Sequence, residues 1–181
     1  MDVFEKMFTE FKTSAYRVEV LATYSIEGGE WEEFQEYEKG IPIRGFANQD
    51  WLDDLVHWKE SGREVIRVRI IPPILTSYLQ YELEWCYPRN WLAGESIKVG
   101  KQELYNQLVK PELFGDYWIF DKKYILKMEY SEDGKYLGEK LISKPNLVKE
   151  YLDLFIDLNR KSVQYTDFMK IWRQKRIIVK L

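Results

Sequence analysis

A single α+β domain, with a small, mostly antiparallel sheet packed by several amphipathic helices, is the fold this chain predicts on three observations. Segments of helical period alternate along the chain with segments of period two. Three strand-like stretches follow one another between residues 117 and 142, and a strong turn signal joins the last two, as in a hairpin meander. The length of 181 residues, 45% apolar and 31% charged, suits one core rather than two, so residues 1–181 are read as one domain.

Taken in order, Val3, Phe4, Met7 and Phe8 have helical spacing, and Tyr16 to Tyr24 has strand composition before Gly28 and Gly29 interrupt it. Trp31, Phe34 and Tyr37 among five glutamates predict a helix with an acidic outer face. After Asn48, Trp51, Leu52, Leu55 and Val56 predict another helix, with Asn48 or Asp50 available as N-cap and Gly62 placed to end it. Glu64 to Ile71 is the best strand of the chain. Ile66, Val68 and Ile70 alternate with Arg67 and Arg69, which therefore share a face, and Pro72-Pro73 stops the ladder.

Leu75, Leu79, Leu83 and Cys86 mark one stripe of a following helix, with Tyr78, Glu82 and Trp85 on a neighbouring stripe and Pro88 expected to end it. Gly94 to Val99 reads as a short strand and Lys101 to Lys110 as a short helix closed by Pro111. Tyr117 to Phe120, Tyr124 to Tyr130 and Tyr136 to Ile142 form the meander, turning at Glu132 to Lys135. Pro145 suits a first helical position for an amphipathic helix through Leu158, and Tyr165 to Trp172 fits one more. The run Ile177-Ile178-Val179 reads as a strand in need of cover.

Composition excludes several functions. A net charge of −3 argues against a surface built throughout to hold nucleic acid. No apolar run is long enough to span a membrane, the N-terminus lacks a signal pattern, and a lone cysteine, Cys86, suits a reducing compartment, so a cytoplasmic protein is expected. One histidine and one cysteine leave no basis for a zinc site, and no metal or cofactor is expected. No phosphate-binding glycine loop or nucleophile elbow is present, so no catalytic residue is assigned. His57-Trp58-Lys59 followed by Glu64 imitates part of a phospholipase D-like phosphodiesterase motif, but on a helix end and with a glutamate as the acid.

What remains are polar residues inside the most apolar elements. Arg67, Arg69, Tyr78, Glu82, Glu95 and Asp121 form a candidate polar cluster, because partly buried charges need partners: either a structural ion-pair network or the floor of a pocket for an anionic group or a peptide carboxylate. Lys170, Arg173, Lys175 and Arg176 form a basic C-terminal stretch that is either a solvated end or an interaction surface. The aromatic content of 16% exceeds what a core of this size absorbs, so some rings should line a groove or interface.

The order of landmarks resembles a bacterial family, domain of unknown function 6879, common in actinobacteria. The resemblance rests on Ala15 to Glu19, Trp51-Leu52, Gly62 with Val65 to Pro72, Tyr78 with Tyr81-Glu82, Gly94 to Ile97, Tyr117 to Asp121, Asp133-Gly134 and Val148. It implies an accessory module encoded beside helix-turn-helix regulators, with no assigned reaction. The expected function is thus a non-catalytic accessory or regulatory module that binds a partner protein, such as a helix-turn-helix regulator, or a small ligand, in bacterial regulation or mobile-element biology. A degenerate phospholipase D-like phosphodiesterase and a nucleic-acid binder acting through the basic C-terminal stretch stay open as alternatives, as does a homodimer.

Overall fold

The strands of period two assemble into one sheet whose two faces are chemically unlike. The computed structural model describes residues 2–42 and 45–179, with side chains to residue 174. In chain order the elements are α1 (Val3–Glu10), β1 (Ser14–Glu19), α2 (Gly28–Glu38), α3 (Gln49–Glu60), β2 (Glu64–Ile71), α4 (Ser77–Tyr81), a π-helical turn (Glu82–Cys86), α5 (Tyr87–Ala93) and β3 (Ser96–Lys101). There follow α6 (Gln102–Leu108), a 3-10 turn (Pro111–Leu113), β4 (Tyr117–Phe120), β5 (Tyr124–Tyr130), β6 (Tyr136–Ile142), α7 (Pro145–Lys161), β7 (Val163–Gln164) and α8 (Tyr165–Val179).

The fold is α+β, and the expected meander is present as β4, β5 and β6. The sheet is mixed, in the order β6-β5-β4-β1-β2-β3-β7. β1 and β3 both run parallel to β2, while the remaining four pairings are antiparallel. The parallel centre goes beyond the expected meander. It requires two crossovers, and these are α2 with α3, and α4 through α5, both laid on one face.

On the other face Tyr16 and Val18 of β1, Val68 and Ile70 of β2, Ile119 and Ile125 pack under α6 and α7 in one apolar cluster. Helix α7 begins with Pro145 in its first turn and buries Val148, Tyr151, Leu154, Phe155 and Leu158, as its spacing predicts. Tyr16 stacks on Phe155 with ring centroids 4.5 Å apart.

The crossover face carries two apolar clusters instead of one. Met7, Phe8, Trp58, Trp118 and Phe120 form the first, where α1 and α3 cover β1, β4 and β5. Ile71, Leu79, Tyr81, Ile97, Val99 and Tyr165 form the second, where α4, α5 and α8 cover β2 and β3. Charged residues of β1 and β2 lie between them.

Three expectations are corrected. Pro88 does not end a helix: it lies at the start of α5. The π-helical turn before it, with the Tyr87 N–H bonded to the Glu82 carbonyl, loosens the backbone where the ring would clash with an α-helical turn. Residues 177–179 belong to α8 rather than to a strand, the helical period of Tyr165 onward continuing through them. Third, the strand predicted from Tyr16 to Tyr24 stops at Glu19, where the buried Asp116 carboxylate takes the Val20 N–H at 2.9 Å in place of a ladder partner.

Candidate functional site

Register brings the charges together. In the parallel β1–β2 pair Arg17 lies beside Arg67 and Glu19 beside Arg69, all on the crossover face. Two arginines side by side require an acid between them, and Glu19 supplies it. Its Oε2 is 2.5 Å from Arg67 Nη1 and its Oε1 is 3.4 Å from Arg17 Nε. Burial alone would push the Glu19 carboxyl up, but Arg67, Arg17 and Arg69 together hold it well below the usual carboxylate range.

Each arginine also has a second anchor. Arg67 Nε donates to Glu95 Oε1 at 2.8 Å. Arg69 donates through Nε and Nη2 to Glu82 Oε2, at 3.1 and 2.8 Å. Arg17 Nη2 donates to Asp116 Oδ2 at 2.9 Å. Tyr24 donates to the same Asp116 oxygen, and Tyr87 donates to Glu19 Oε2 at 3.1 Å. All seven charged groups are buried, Arg69 and Asp116 almost completely.

Local sequence explains the placement. Glu82 opens the π-helical turn, where the widened backbone aims it at β2. Glu95 follows the Gly94 that ends α5 with φ +124°, a conformation closed to most side chains. Asn90, in the last turn of α5, donates its Nδ2 to Glu95 Oε2 at 2.8 Å.

The acids outnumber the bases. Among the described residues, the three guanidiniums of Arg17, Arg67 and Arg69 face the carboxyls of Glu19, Glu82, Glu95, Asp116 and the nearby Glu30. Burial therefore lifts four of the five: Glu82 is pushed up to about 7, and Glu95, Glu30 and Asp116 are raised as well. For Glu82 burial outweighs Arg69, with Glu19 adding repulsion.

Above this network lies an open cavity of about 500 Å³. Arg17, Glu19, Arg67 and Glu82 line it, with Asn90 and Tyr87 beside them. Its walls are aromatic: Trp51 and Trp118 from one apolar cluster, Tyr78 from the other, and Tyr130 from β5. Asp2, Asn48 and Tyr136 line it as well and are exposed, which marks its mouth. The guanidiniums of Arg17 and Arg67 lie 5.3 and 5.9 Å from the Trp118 ring centroid.

The sequence-derived cluster is thus brought together in large part. Arg67, Arg69, Glu82 and Glu95 join one network, and Tyr78 is buried in the cavity wall. Asp121 does not belong to it. Its carboxylate accepts the backbone N–H groups of Lys12, Thr13 and Ser14, a set of bonds that outweighs burial and lowers its pKa. Asp121 and Lys122 have φ of +51° and +58° in the β4–β5 turn, and the Asp121 carboxylate ties that turn to the backbone at the start of β1.

The members not foreseen are Arg17, Glu19, Asp116 and Asn90. The first two were visible in principle, since period two along Ala15, Arg17 and Glu19 puts both charges on one face, as in β2. Asp116 and Asn90 lie outside any strand, and no periodicity marks them.

The phosphodiesterase-like triplet does not converge. His57 and Lys59 are exposed at the end of α3, and Glu64 accepts a hydrogen bond from Tyr16, whose ring belongs to the opposite face of the sheet. Of the basic C-terminal stretch, Lys170 and Arg173 are exposed on α8, and Lys170 pairs with Asp167 at 3.2 Å. The side chains of Lys175 and Arg176 lie outside the described residues. Among the described residues no group of acids, histidines and cysteines is disposed to hold a metal ion, and no helix is long and apolar enough to cross a membrane.

Comparison with known proteins supplies a family. The profile described as Domain of unknown function (DUF6879) matches residues 2–170, so the chain belongs to that family. No curated protein matches it.

Proposed function

We propose that this member of the family is a non-catalytic binding module that holds a small ligand in the cavity between the sheet and its crossover helices. The observation that carries this reading is the cavity itself. It is open, its volume falls in the range of small-molecule sites, and it combines aromatic walls with convergent polar groups. Asn90 is 5% exposed, and its Oδ1 is buried without a hydrogen-bond partner. The amide orientation is fixed, because Glu95 as a carboxylate can only accept from Nδ2. An acceptor buried without a partner is costly, and a donor on a ligand would satisfy it.

Binding rather than turnover fits the rest of the site. Both guanidiniums on the floor are fixed by carboxylates, and burial holds the Cys86 thiol and the Tyr78 and Tyr87 hydroxyls far above the range in which they act as nucleophiles or bases. A regulatory role, coupling the ligand to a partner protein, is the biological setting that such a module would serve.

The test is a small fragment set containing cationic, neutral and anionic aromatic compounds, followed through the tryptophan indole N–H resonances. Trp51 and Trp118 are assigned with Trp→Phe variants. At least one fragment class is expected to shift these two signals saturably, while the Trp172 signal on α8 stays in place. Absence of any saturable shift at Trp51 and Trp118 would overturn the reading.

A further inference from the structure

The arginines of the best strand suggest an anion site, yet the structure points the other way. Every guanidinium of the network is engaged by at least one carboxylate, so an incoming anion would have to displace an internal acid to reach it. The excess charge near the cavity is negative among the described residues, and Glu30 lines it beside Asn48 without a described basic partner.

The rings point the same way. Trp118 already holds the faces of two guanidiniums, Tyr87 lies 5.5 Å from that of Arg67, and Tyr24 lies 5.4 Å from that of Arg69. Aromatic faces beside carboxylates attract cations, through the ring quadrupole and through direct charge. Trp51, Tyr78 and Tyr130 present more aromatic surface to the same cavity. The unpartnered polar atom on its lining that requires a ligand donor is Asn90 Oδ1. Arg17 Nε and Nη1 also lack a hydrogen-bond partner, but Nε lies 3.4 Å from Glu19 Oε1 and the guanidinium has the Trp118 ring 5.3 Å away and Asp116 on its Nη2.

We infer that the cavity takes a small organic cation, an ammonium or amidinium group carried on an apolar or aromatic body. The cationic head lies near Glu19, Glu30 and Glu82, and a head N–H donates to Asn90 Oδ1. The body packs against Trp51 and Tyr130. This rests on the reading of the cavity as a ligand site and adds the sign of the ligand's charge.

Three probes of similar size separate the possibilities: benzylammonium, benzyl alcohol and benzoate, each titrated into the full chain at pH 7.5 with the Trp51 and Trp118 indole signals as readout. Benzylammonium is expected to bind at least ten-fold more tightly than benzyl alcohol, and benzoate not measurably. Glu30 belongs to no described ion pair, so Glu30→Gln should keep the fold, shown by unchanged signals of the remaining tryptophans, and weaken the cation several-fold while leaving benzyl alcohol unaffected. Should Glu30→Gln fail to fold, the salt dependence of benzylammonium binding replaces it, with affinity expected to fall as ionic strength rises. Benzyl alcohol or benzoate binding as tightly as benzylammonium would overturn the cationic assignment and leave the cavity a ligand site. No shift by any of the three probes would overturn both.

Discussion

The two faces of one sheet solve the same packing problem differently. Under α6 and α7 the strands present Val18, Val68, Ile70, Ile119 and Ile125 beside the rings of Tyr16 and Tyr117, and no ion pair is buried there among the described residues. One residue further along the same strands, the opposite face presents Arg17, Glu19, Arg67 and Arg69, and the covering helices answer with Glu82, Asn90 and Tyr87. The dry face shows that this chain can bury a sheet with aliphatic and aromatic residues and no buried ion pair. Buried ion pairs generally add no stability over a well-packed apolar replacement, so stability does not account for the charged face. A ligand does.

The largest expected effect is on the charged face. Arg67→Met removes one guanidinium from two buried acids, Glu19 and Glu95, and should cost about 3–5 kcal/mol in denaturant unfolding. A loss below about 1 kcal/mol would mean that the network relaxes or admits water, and the contrast between the faces would weaken. On the dry face Leu158→Ala should cost about 2–5 kcal/mol by leaving a cavity. It should leave benzylammonium affinity unchanged once the variant is folded; a parallel loss of binding would show that the faces are not independent.

A smaller effect separates the faces by pH. Glu82 is raised from 4.5 to about 7 by burial, so the folded state holds its proton in a range where the unfolded chain has released it. Its stabilising contribution is full below pH 4.5 and is lost as pH rises to about 7, and Glu95, Glu30 and Asp116, raised as well, act in the same direction. Glu19, lowered, acts oppositely, but only at pH below its ordinary value of 4.5. Unfolding free energy measured from pH 5 to 7 should therefore fall, and Glu82→Gln should reduce the slope. An unchanged slope in that variant would remove Glu82 from the account. The smallest effect belongs to the exposed pair on α8: Lys170→Ala should leave the unfolding midpoint within error of the parent chain, as solvent-exposed ion pairs contribute little.

How much of this was legible follows from the geometry of strands. Period two in Glu64 to Ile71 placed Arg67 and Arg69 on one face, and the need of buried charge for a partner pointed to Glu82 and Glu95. The meander and α7 followed from turn and helix signals. The parallel pairing of β1 with β2 was not legible, because it joins segments about 50 residues apart and no local pattern encodes which strand a crossover returns to. That one pairing brings Arg17 and Glu19 into the site. Asp121 was misassigned for a related reason: an acid at a strand end can face a guanidinium or take free backbone N–H groups of a remote segment, and only the fold shows that it takes those of Lys12 to Ser14 at the start of β1.

The central claim, that the charged face is kept for a ligand and not for the fold, is tested most directly by replacing a whole ion pair with apolar residues of similar volume. In the double variant Arg69→Met/Glu82→Leu, the denaturant midpoint and benzylammonium affinity are measured on the same preparation. Stability equal to or above that of the parent chain, together with at least a five-fold loss of affinity, is the result this account requires. A protein several kcal/mol less stable that binds the cation as before would show instead that the charges hold the fold and leave the cavity's ligand to other groups.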